Sequence, residues 1–555
     1  MVGKLNLLCA LTALVGTCAS SMSGIEQRVR RTTINPRGLA KREDTKPSLL
    51  YPAYNLSVPV DHFHNDSLYE PHSSESFNLR YWFDATYYKP GGPVIVLQSG
   101  ETSGVGRLGF LQKGLLHQLA VATGGIGVVL EHRYYGTKSL RFLTTDQALA
   151  DEAYFAKNVV FEGLEQYNLT APHTAYFGYG GSYAGAFVAF LRKLYPDVFW
   201  GTISSSGVTE AIWDYWAYYE PIRVYGEPTC ISYAQKIINM VDNLLIKVNT
   251  TETTTELKTA FGLPNVTYDD DFAATLSWTT VGTWQGRNWD PELNDPSFDE
   301  FCGNITSGVV EYSETTELVG TVQDLLKKGG YESEVSTLTT PLLNWIGWMG
   351  NTTISNCEGS QDRCYGSHNS TYYAQDSLDD DWRSWPYQYC TQWGYLQTGS
   401  GVPADQLPLI SRMVDLEFST IVCREAFNIS QPANVTAINK YGGFNISYPR
   451  FAIVDGEQDP WRPACPSASP FNSTAVNRTS TVSEPFMLIE GGVHHWDENG
   501  LFPNQTVDVP PNFLPPPPRI EKAQIITELP QLIYRDLLIV PFASISRITK
   551  SLNPP

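Results

Sequence analysis

A chain of 555 residues with 42% hydrophobic and 12% aromatic side chains has the apolar surface for a large core, which excludes a disordered or collagen-like polymer. Its length admits several domains or one core with a large insertion. The net charge of −20 disfavours nucleic acid and anionic membranes as partners, and it fits work in acid, where carboxylates neutralise and self-repulsion falls.

Residues 1–20 read as a signal peptide: Lys4, an apolar run from Leu5 to Val15, then small residues through Ser20, too short to span a membrane. Residues 21–50 read as a leader or propeptide, with Arg30-Arg31 and Lys41-Arg42 as candidate processing sites or as plain solvated basic residues. The first 42 residues carry +6, so a product cut after Arg42 stands at −26. About fourteen N-x-S/T sequons, Asn55, Asn168, Asn249, Asn304, Asn369, Asn434, Asn472 and Asn504 among them, point to a glycosylated secretory protein. Of nine cysteines, Cys9 and Cys18 leave with the signal, so disulfides are expected with at least one thiol left over. Cys357 and Cys364 are close enough to staple one loop, and the other pairings cannot be read. With no CxxC pair and no HExxH helix, neither a metal nor a cofactor is expected.

From Tyr51 to Tyr88 the pattern is short strands and turns, with a strand over Phe77–Phe83. Val94–Leu97 and Ile126–Leu130 are short continuous apolar runs suited to buried parallel strands. A helix is expected over 109–122 and a long one over 144–168, with Thr145 or Asp146 as N-cap and Leu149, Phe155, Val159, Val160 and Leu164 on its apolar face. A strand at Ala175–Phe177, a helix over Tyr183–Leu194 and a strand over Gly201–Ser206 continue the alternation, which argues for a parallel α/β sheet. Helical stretches then dominate (212–225, 232–248, 316–328 and 339–349). The acidic triplets Asp269–Asp271 and Asp379–Asp381 read as solvated loops, since neither has the spaced ligands and glycine of a calcium loop. Strands return at Arg450–Asp455 and Phe486–Ile489. The tail has a proline run, Pro515–Pro518, and a helix over 519–538, with Arg535, Asp536 and Pro541 arguing against a membrane anchor.

Ser182 lies in Phe177–Phe190, FGYGGSYAGAFVAF, between Gly180-Gly181 and Ala184-Gly185, after a strand and before a helix. That is the pattern of a nucleophile elbow, a tight turn that lifts a serine hydroxyl above a sheet; the bland reading is a Gly/Ser loop before a core helix. The loop at Gly100-Glu101 after one strand, and Tyr183 after the serine, are placed to supply backbone N–H donors to an oxyanion; a plain strand-end glycine competes with that. His132, upstream in a crowded strand-end turn, reads as structural. Acids follow the next-to-last strand at Asp455, Glu457 and Asp459, and histidines follow the last at His494 and His495. The order serine, acid, histidine is that of α/β-hydrolases.

The assembled motifs resemble the serine carboxypeptidase family that contains lysosomal Pro-Xaa carboxypeptidase, dipeptidyl peptidase II and the fungal acid prolyl endopeptidases. The pieces are DHF (Asp61–Phe63), GGP (Gly91–Pro93), the Gly100-Glu101 loop, EHRYYG (Glu131–Gly136), LTTDQALAD (Leu143–Asp151), GGSYAG (Gly180–Gly185), RSWPYQYC (Arg383–Cys390), DGEQDPW (Asp455–Trp461) and GGVHHWD (Gly491–Asp497). AIWDYWAYYEPI (Ala211–Ile222) looks closest to the fungal secreted members. The resemblance implies an α/β-hydrolase fold with core segments 51–211 and 446–555 and an inserted helical cap over 212–445, similar to the family's SKS domain. It implies the triad Ser182, Asp459 and His494, and hydrolysis on the carboxyl side of proline through an acyl-enzyme. Two departures are Asp455 for the family's asparagine and His495 for the cysteine of fungal relatives. Trp461 and Trp496, beside the acid and the base, fit an apolar pocket for a pyrrolidine ring and equally fit core tryptophans. Competing functions are an esterase or lipase, or a hydrolase-fold binding protein without catalysis. Expected partners are a peptide or protein substrate and N-glycans, with a homodimer left open, in the extracellular space or a vacuolar or lysosomal lumen.

Overall fold

Continuous apolar runs bury on both faces and so favour a covered parallel sheet. The computed structural model, which describes residues 46–134, 140–375 and 381–500, contains such a sheet. The signal and most of the leader, Tyr135 and Gly136, Asp379 and Asp380, and the tail's proline run and helix lie outside the described residues.

Eight strands form the main sheet: β1 (Tyr54–Pro59), β2 (Ser76–Asp84), β3 (Val94–Gln98), β4 (Ile126–Leu130), β5 (Tyr176–Gly181), β6 (Phe199–Ser205), β9 (Phe451–Gly456) and β10 (Phe486–Ile489). Two further strands, β7 (Ile212–Asp214) and β8 (Gly394–Leu396), pair with each other. The main order is β1-β2-β4-β3-β5-β6-β9-β10. β2 runs antiparallel to both β1 and β4, and all other pairings are parallel. β3, β4 and β9 are buried at every position, as their apolar sequences require. The antiparallel edge and the parallel strands crossing over through helices give an α/β-hydrolase fold with a helical insertion. Because β3, β5, β6, β9 and β10 are parallel, the loops after Gln98, Gly181, Ser205, Gly456 and Ile489 emerge along one edge, where open α/β sheets place their sites.

Three core helices cover this sheet: α1 (Leu115–Thr123), α2 (Thr145–Asn158) and α3 (Tyr183–Leu194). α3 buries Phe187, Val188, Phe190 and Leu191 completely, each worth about 1.5–3 kcal/mol of transfer free energy. α2 departs from expectation at both ends. Thr144 is its N-cap, accepting from the Gln147 amide, and the helix stops at Asn158, ten residues early. Val159 is already extended, because Val159 and Phe161 turn into the core while Val160 is 64% exposed.

Between β6 and β9 the chain is mainly helical. α4 (Pro228–Asp242), α5 (Thr251–Ala260), α6 (Asp269–Trp278), α7 (Ser297–Ile305), α8 (Val319–Lys328) and α9 (Val335–Thr352) are its longer members. The start of the expected helix over 212–225 is instead β7, followed by a 3-10 turn and a short helix, Glu220–Tyr225. Asp269–Asp271 is not a loop but the first turn of α6, where carboxylates oppose the positive end of the helix dipole. Disulfides join Cys230 to Cys302, Cys357 to Cys364 and Cys390 to Cys423, leaving Cys465 buried and unpaired.

Candidate active site

Ser182 stands between β5 and α3 with φ 58° and ψ −124°, a conformation that L residues avoid and that persists only where surroundings enforce it. Its amide donates to Ser205 O at 2.9 Å, tying the turn to β6. Its hydroxyl does not cap α3. A Cβ at Gly180 would lie 2.4 Å from Ala184 O, so glycine is needed for the turn to close. Ala184, buried at 2% exposure, occupies the second small position of the G-x-S-x-G pattern.

The loops after β9 and β10 bring Asp459 and His494 together. His494 Nδ1 is 2.9 Å from Asp459 Oδ2, with Asp459 fully buried and His494 9% exposed. Asp459 Oδ1 accepts from the Trp461 amide at 2.8 Å, which fixes the carboxylate's rotation. An acceptor-only carboxylate facing Nδ1 selects the tautomer with its proton there and leaves the lone pair on Nε2. Burial alone would raise Asp459, but His494, the Ser206 hydroxyl and the Trp461 amide bring it below the usual carboxylate range. Burial holds His494 below the ordinary histidine value despite Asp459, and the neighbouring His495 lowers it further. The other acids do not approach the imidazole in this way. Glu457 receives the Gly491 amide, and neither carboxyl oxygen of buried Asp455 has a hydrogen-bond partner.

His495 forms a second pair. Its Nδ1 is 2.9 Å from Glu498 Oε2, and its ring lies 4.0 Å from that of His494. Burial would lower His495, yet Glu498 overrides it and leaves the ring's pKa raised. The ring also packs on the elbow, since a Cβ at Gly181 would come within 2.8 Å of it. His132 is buried behind α3. Its Nδ1 meets Arg133 O at 3.0 Å, and its Nε2 meets Tyr183 Oη at 2.9 Å. The carbonyl requires N–H at Nδ1, so Nε2 accepts from the tyrosine.

The candidate oxyanion donors divide. The Gly100 amide donates to Gln98 Oε1 at 2.5 Å and is thus engaged, contrary to its expected use. The amides of Glu101 and Tyr183 donate to no acceptor among the described residues. Trp461 stacks on Tyr215 at 5.4 Å, meets Tyr218 and Tyr395 edge-on at 5.3 Å, and lies 6.4 Å from His494. Trp496 is 2% exposed, and its carbonyl accepts from Trp289 Nε1 at 2.9 Å.

The helical insertion reaches into these loops through residues that spacing did not single out. Gln285 Oε1 accepts from Trp461 Nε1 at 2.9 Å and from Tyr218 Oη at 2.8 Å. Trp284 Nε1 donates to Gln458 O at 2.8 Å, one residue before the acid. Gln388 Nε2 donates to Tyr183 Oη at 2.8 Å, closing a chain from the insertion through the residue after the serine to His132. Gln388 belongs to the RSWPYQYC motif, so its signal was present as a motif without a role. Gln285 had none.

A family model described as serine carboxypeptidase S28 matches residues 59–510. A protein of Arthroderma benhamiae, described as "Probable extracellular serine carboxypeptidase", is 50% identical over 486 residues, 85% of this chain and 67% of its own. The serine protease vicPa of Bipolaris victoriae is 30% identical over 453 residues, 76% of this chain and 80% of its own. Among solved structures, the peroxisomal α/β-hydrolase Lpx1 of Saccharomyces cerevisiae aligns over 90% of this chain and 96% of its own at 9% identity, with a TM-score of 0.33, so the fold rests on the strand order above. The chain belongs to the serine carboxypeptidase S28 family and is a serine-type peptidase.

Proposed function

We propose that Ser182, Asp459 and His494 are the catalytic triad of this peptidase and that it cleaves on the carboxyl side of proline. The observation that carries the reading is the His494–Asp459 contact of 2.9 Å at the same sheet edge as a serine held at positive φ. In the proposed reaction His494 Nε2 takes the Ser182 proton as Oγ attacks the scissile carbonyl, and returns it to the leaving amine as the C–N bond breaks. Water then attacks the acyl-enzyme by the same base, giving a carboxylic acid and restoring the serine. The amides of Tyr183 and Glu101 take the oxyanion, and Asp459 stabilises the imidazolium. Trp461, in its aromatic cluster next to His494, forms the wall against which a proline ring packs; Trp496 anchors the insertion by its carbonyl. Among the described residues, segments 51–211 and 446–500 form the core and 212–445 the cap.

The leader, the sequons and the disulfides support a secreted, glycosylated enzyme. Among the described residues no helix is long and apolar enough to cross a membrane. The deciding experiment is mass spectrometry of the products from one internal-proline peptide, offered with free and with blocked ends. Cleavage after proline is expected, and the ends tolerated define exo- or endopeptidase action. Turnover of a p-nitrophenyl ester with no cleavage of any proline peptide would favour the esterase reading. Failure of a fluorophosphonate to label Ser182 would favour a binding protein.

A further inference from the structure

The three aspartates opening α6 have different partners. Asp269 pairs with Lys258 Nζ at 2.7 Å. Asp270 faces His368, whose Nε2 lies 3.1 and 3.0 Å from its two carboxylate oxygens. Asp271 is fully buried; its Oδ1 accepts from the Ser367 amide at 2.7 Å, and its Oδ2 makes no well-formed hydrogen bond, although the Ser367 side chain lies beside the carboxylate. One donor atom each from Asp270, Asp271 and His368 can be chosen with all three within 4.8 Å of one another. Two carboxylates are thus held together with a single imidazole whose Nε2 already serves Asp270, and a buried, unpartnered carboxylate oxygen is costly.

The cluster is also held in place from several sides. The His368 ring stacks on Tyr268 at 3.9 Å with 21° between planes. The Thr267 amide and hydroxyl both bind Asp362, at 2.7 and 2.6 Å, and the Asn265 amide donates to Gln361 Oε1 at 2.8 Å. The Cys357–Cys364 disulfide closes the loop that contains Gln361 and Asp362. Residues 366–368 are therefore fixed against the start of α6 by contacts outside the trio. A second trio, Asp61, His64 and His72, lacks the feature that matters here. Asp61 is buried, but its Oδ1 accepts from Phe63 and Gln147 and its Oδ2 meets His72, so neither oxygen is left over.

We propose that Asp270, Asp271 and His368 bind a divalent transition-metal ion, zinc in the first instance. One imidazole nitrogen and two carboxylate oxygens form a mixed donor set that zinc accepts, with water completing the coordination, whereas calcium and magnesium favour all-oxygen sets. The ion takes the place of the proton shared by Asp270 and His368, which goes to solvent or to Nδ1, so binding weakens in acid. It gives Asp271 Oδ2 its missing partner and cross-links residues 366–368 to α6. The site is separate from the peptidase chemistry, and its failure would leave that reading untouched.

The test uses the full chain, stripped with a chelator and exchanged into buffer at pH 7, titrated with zinc by calorimetry and followed by thermal unfolding. The expected results are saturable one-to-one binding, a zinc-dependent rise in Tm reversed by EDTA, and loss of at least about tenfold in affinity in His368→Gln and Asp271→Asn. His368 is on the surface, so His368→Gln tests the site without disturbing the core. His64→Gln, in the other trio, should bind like the parent. Absence of saturable binding, parent-like affinity in His368→Gln, loss of binding in His64→Gln alone, or tighter binding of calcium than zinc would each overturn the assignment.

Discussion

Two histidine–carboxylate pairs stand side by side after β10, at the same 2.9 Å separation, yet their imidazoles are pushed in opposite directions. His494 is lowered and His495 is raised. The difference lies in what surrounds each pair. The Asp459 charge is already shared with the Trp461 amide and the Ser206 hydroxyl, so less of it offsets His494's burial. Burial would raise Glu498, but His495 brings it below its usual range, with Arg107 adding to the effect. One pair thus favours a neutral ring with a lone pair to offer; the other favours protonation of a ring 4.0 Å away, which makes protonation of its neighbour harder. Equal geometry does not give equal chemistry.

The first way to break this comparison is to remove the groups assigned to the reaction. Ser182→Ala should lower kcat/KM on a proline-containing peptide by about ten-thousandfold or more, with an unchanged circular dichroism spectrum. His494→Gln should fall to a similar level, because nucleophile and base act as a unit. Asp459→Asn should lose about a thousandfold to ten-thousandfold, since an amide facing Nδ1 no longer selects the required tautomer. If His495→Gln abolished activity while His494→Gln remained active, the roles of the two rings would be exchanged.

Sharpening comes from His495→Gln when His494 is the base. That variant should keep activity within about tenfold of the parent near neutral pH, because no reacting atom is removed. Its acid limb should move to higher pH. The groups facing His495 are His494, Asp459, Asp497, Glu498 and Arg107. Loss of the His495 ring removes one cause of the low His494 value, so the base becomes protonated at less acidic pH. The check is a kcat/KM profile between pH 3 and 8 for parent and variant, and an unmoved acid limb would show that the stacked ring does not tune the base.

Much of this arrangement was legible because the sequence marks strand ends strongly. The runs at Val94, Ile126, Phe451 and Phe486 are short and continuous, and those at Val94, Phe451 and Phe486 are each followed by a loop that carries a candidate site residue. Phe486–Ile489 and Tyr183–Leu194 fall where the sequence puts them. Local pattern failed where partners far along the chain decide. Residues 212–214 form a strand only because Gly394–Leu396 lies beside them. The end of α2 is set by core packing of Val159 and Phe161, although the helical pattern continues. The Gly100 amide looked available until Gln98 folded back on it. Asp271 looked solvated because a triplet of aspartates normally is, and its burial depends on Ser367, ninety-six residues away.

Asp455 gives the mildest test, and it reads stability in place of rate. Burial pushes its carboxyl up to about 7, the Ser467 side chain offsets part of that, and the neighbouring Asp459 charge adds to the rise. The folded chain therefore favours the protonated acid, while the unfolded chain ionises near the ordinary aspartate value of about 3.9. Stability from this group is fully present below the unfolded value, declines as pH rises between the two, and is lost above about 7. Asp455→Asn puts a neutral residue of nearly the same shape in that place and has no such dependence. Its Tm should match the parent's at pH 4 and exceed it by several degrees at pH 7.5, measured by calorimetry at both values. Because Asp455 does not touch His494 while Asp459 does, the variant should leave the acid limb of activity in place. A shift of that limb together with the Tm would mean that the two aspartates titrate as one unit and that the His494–Asp459 pair is less insulated than its geometry implies.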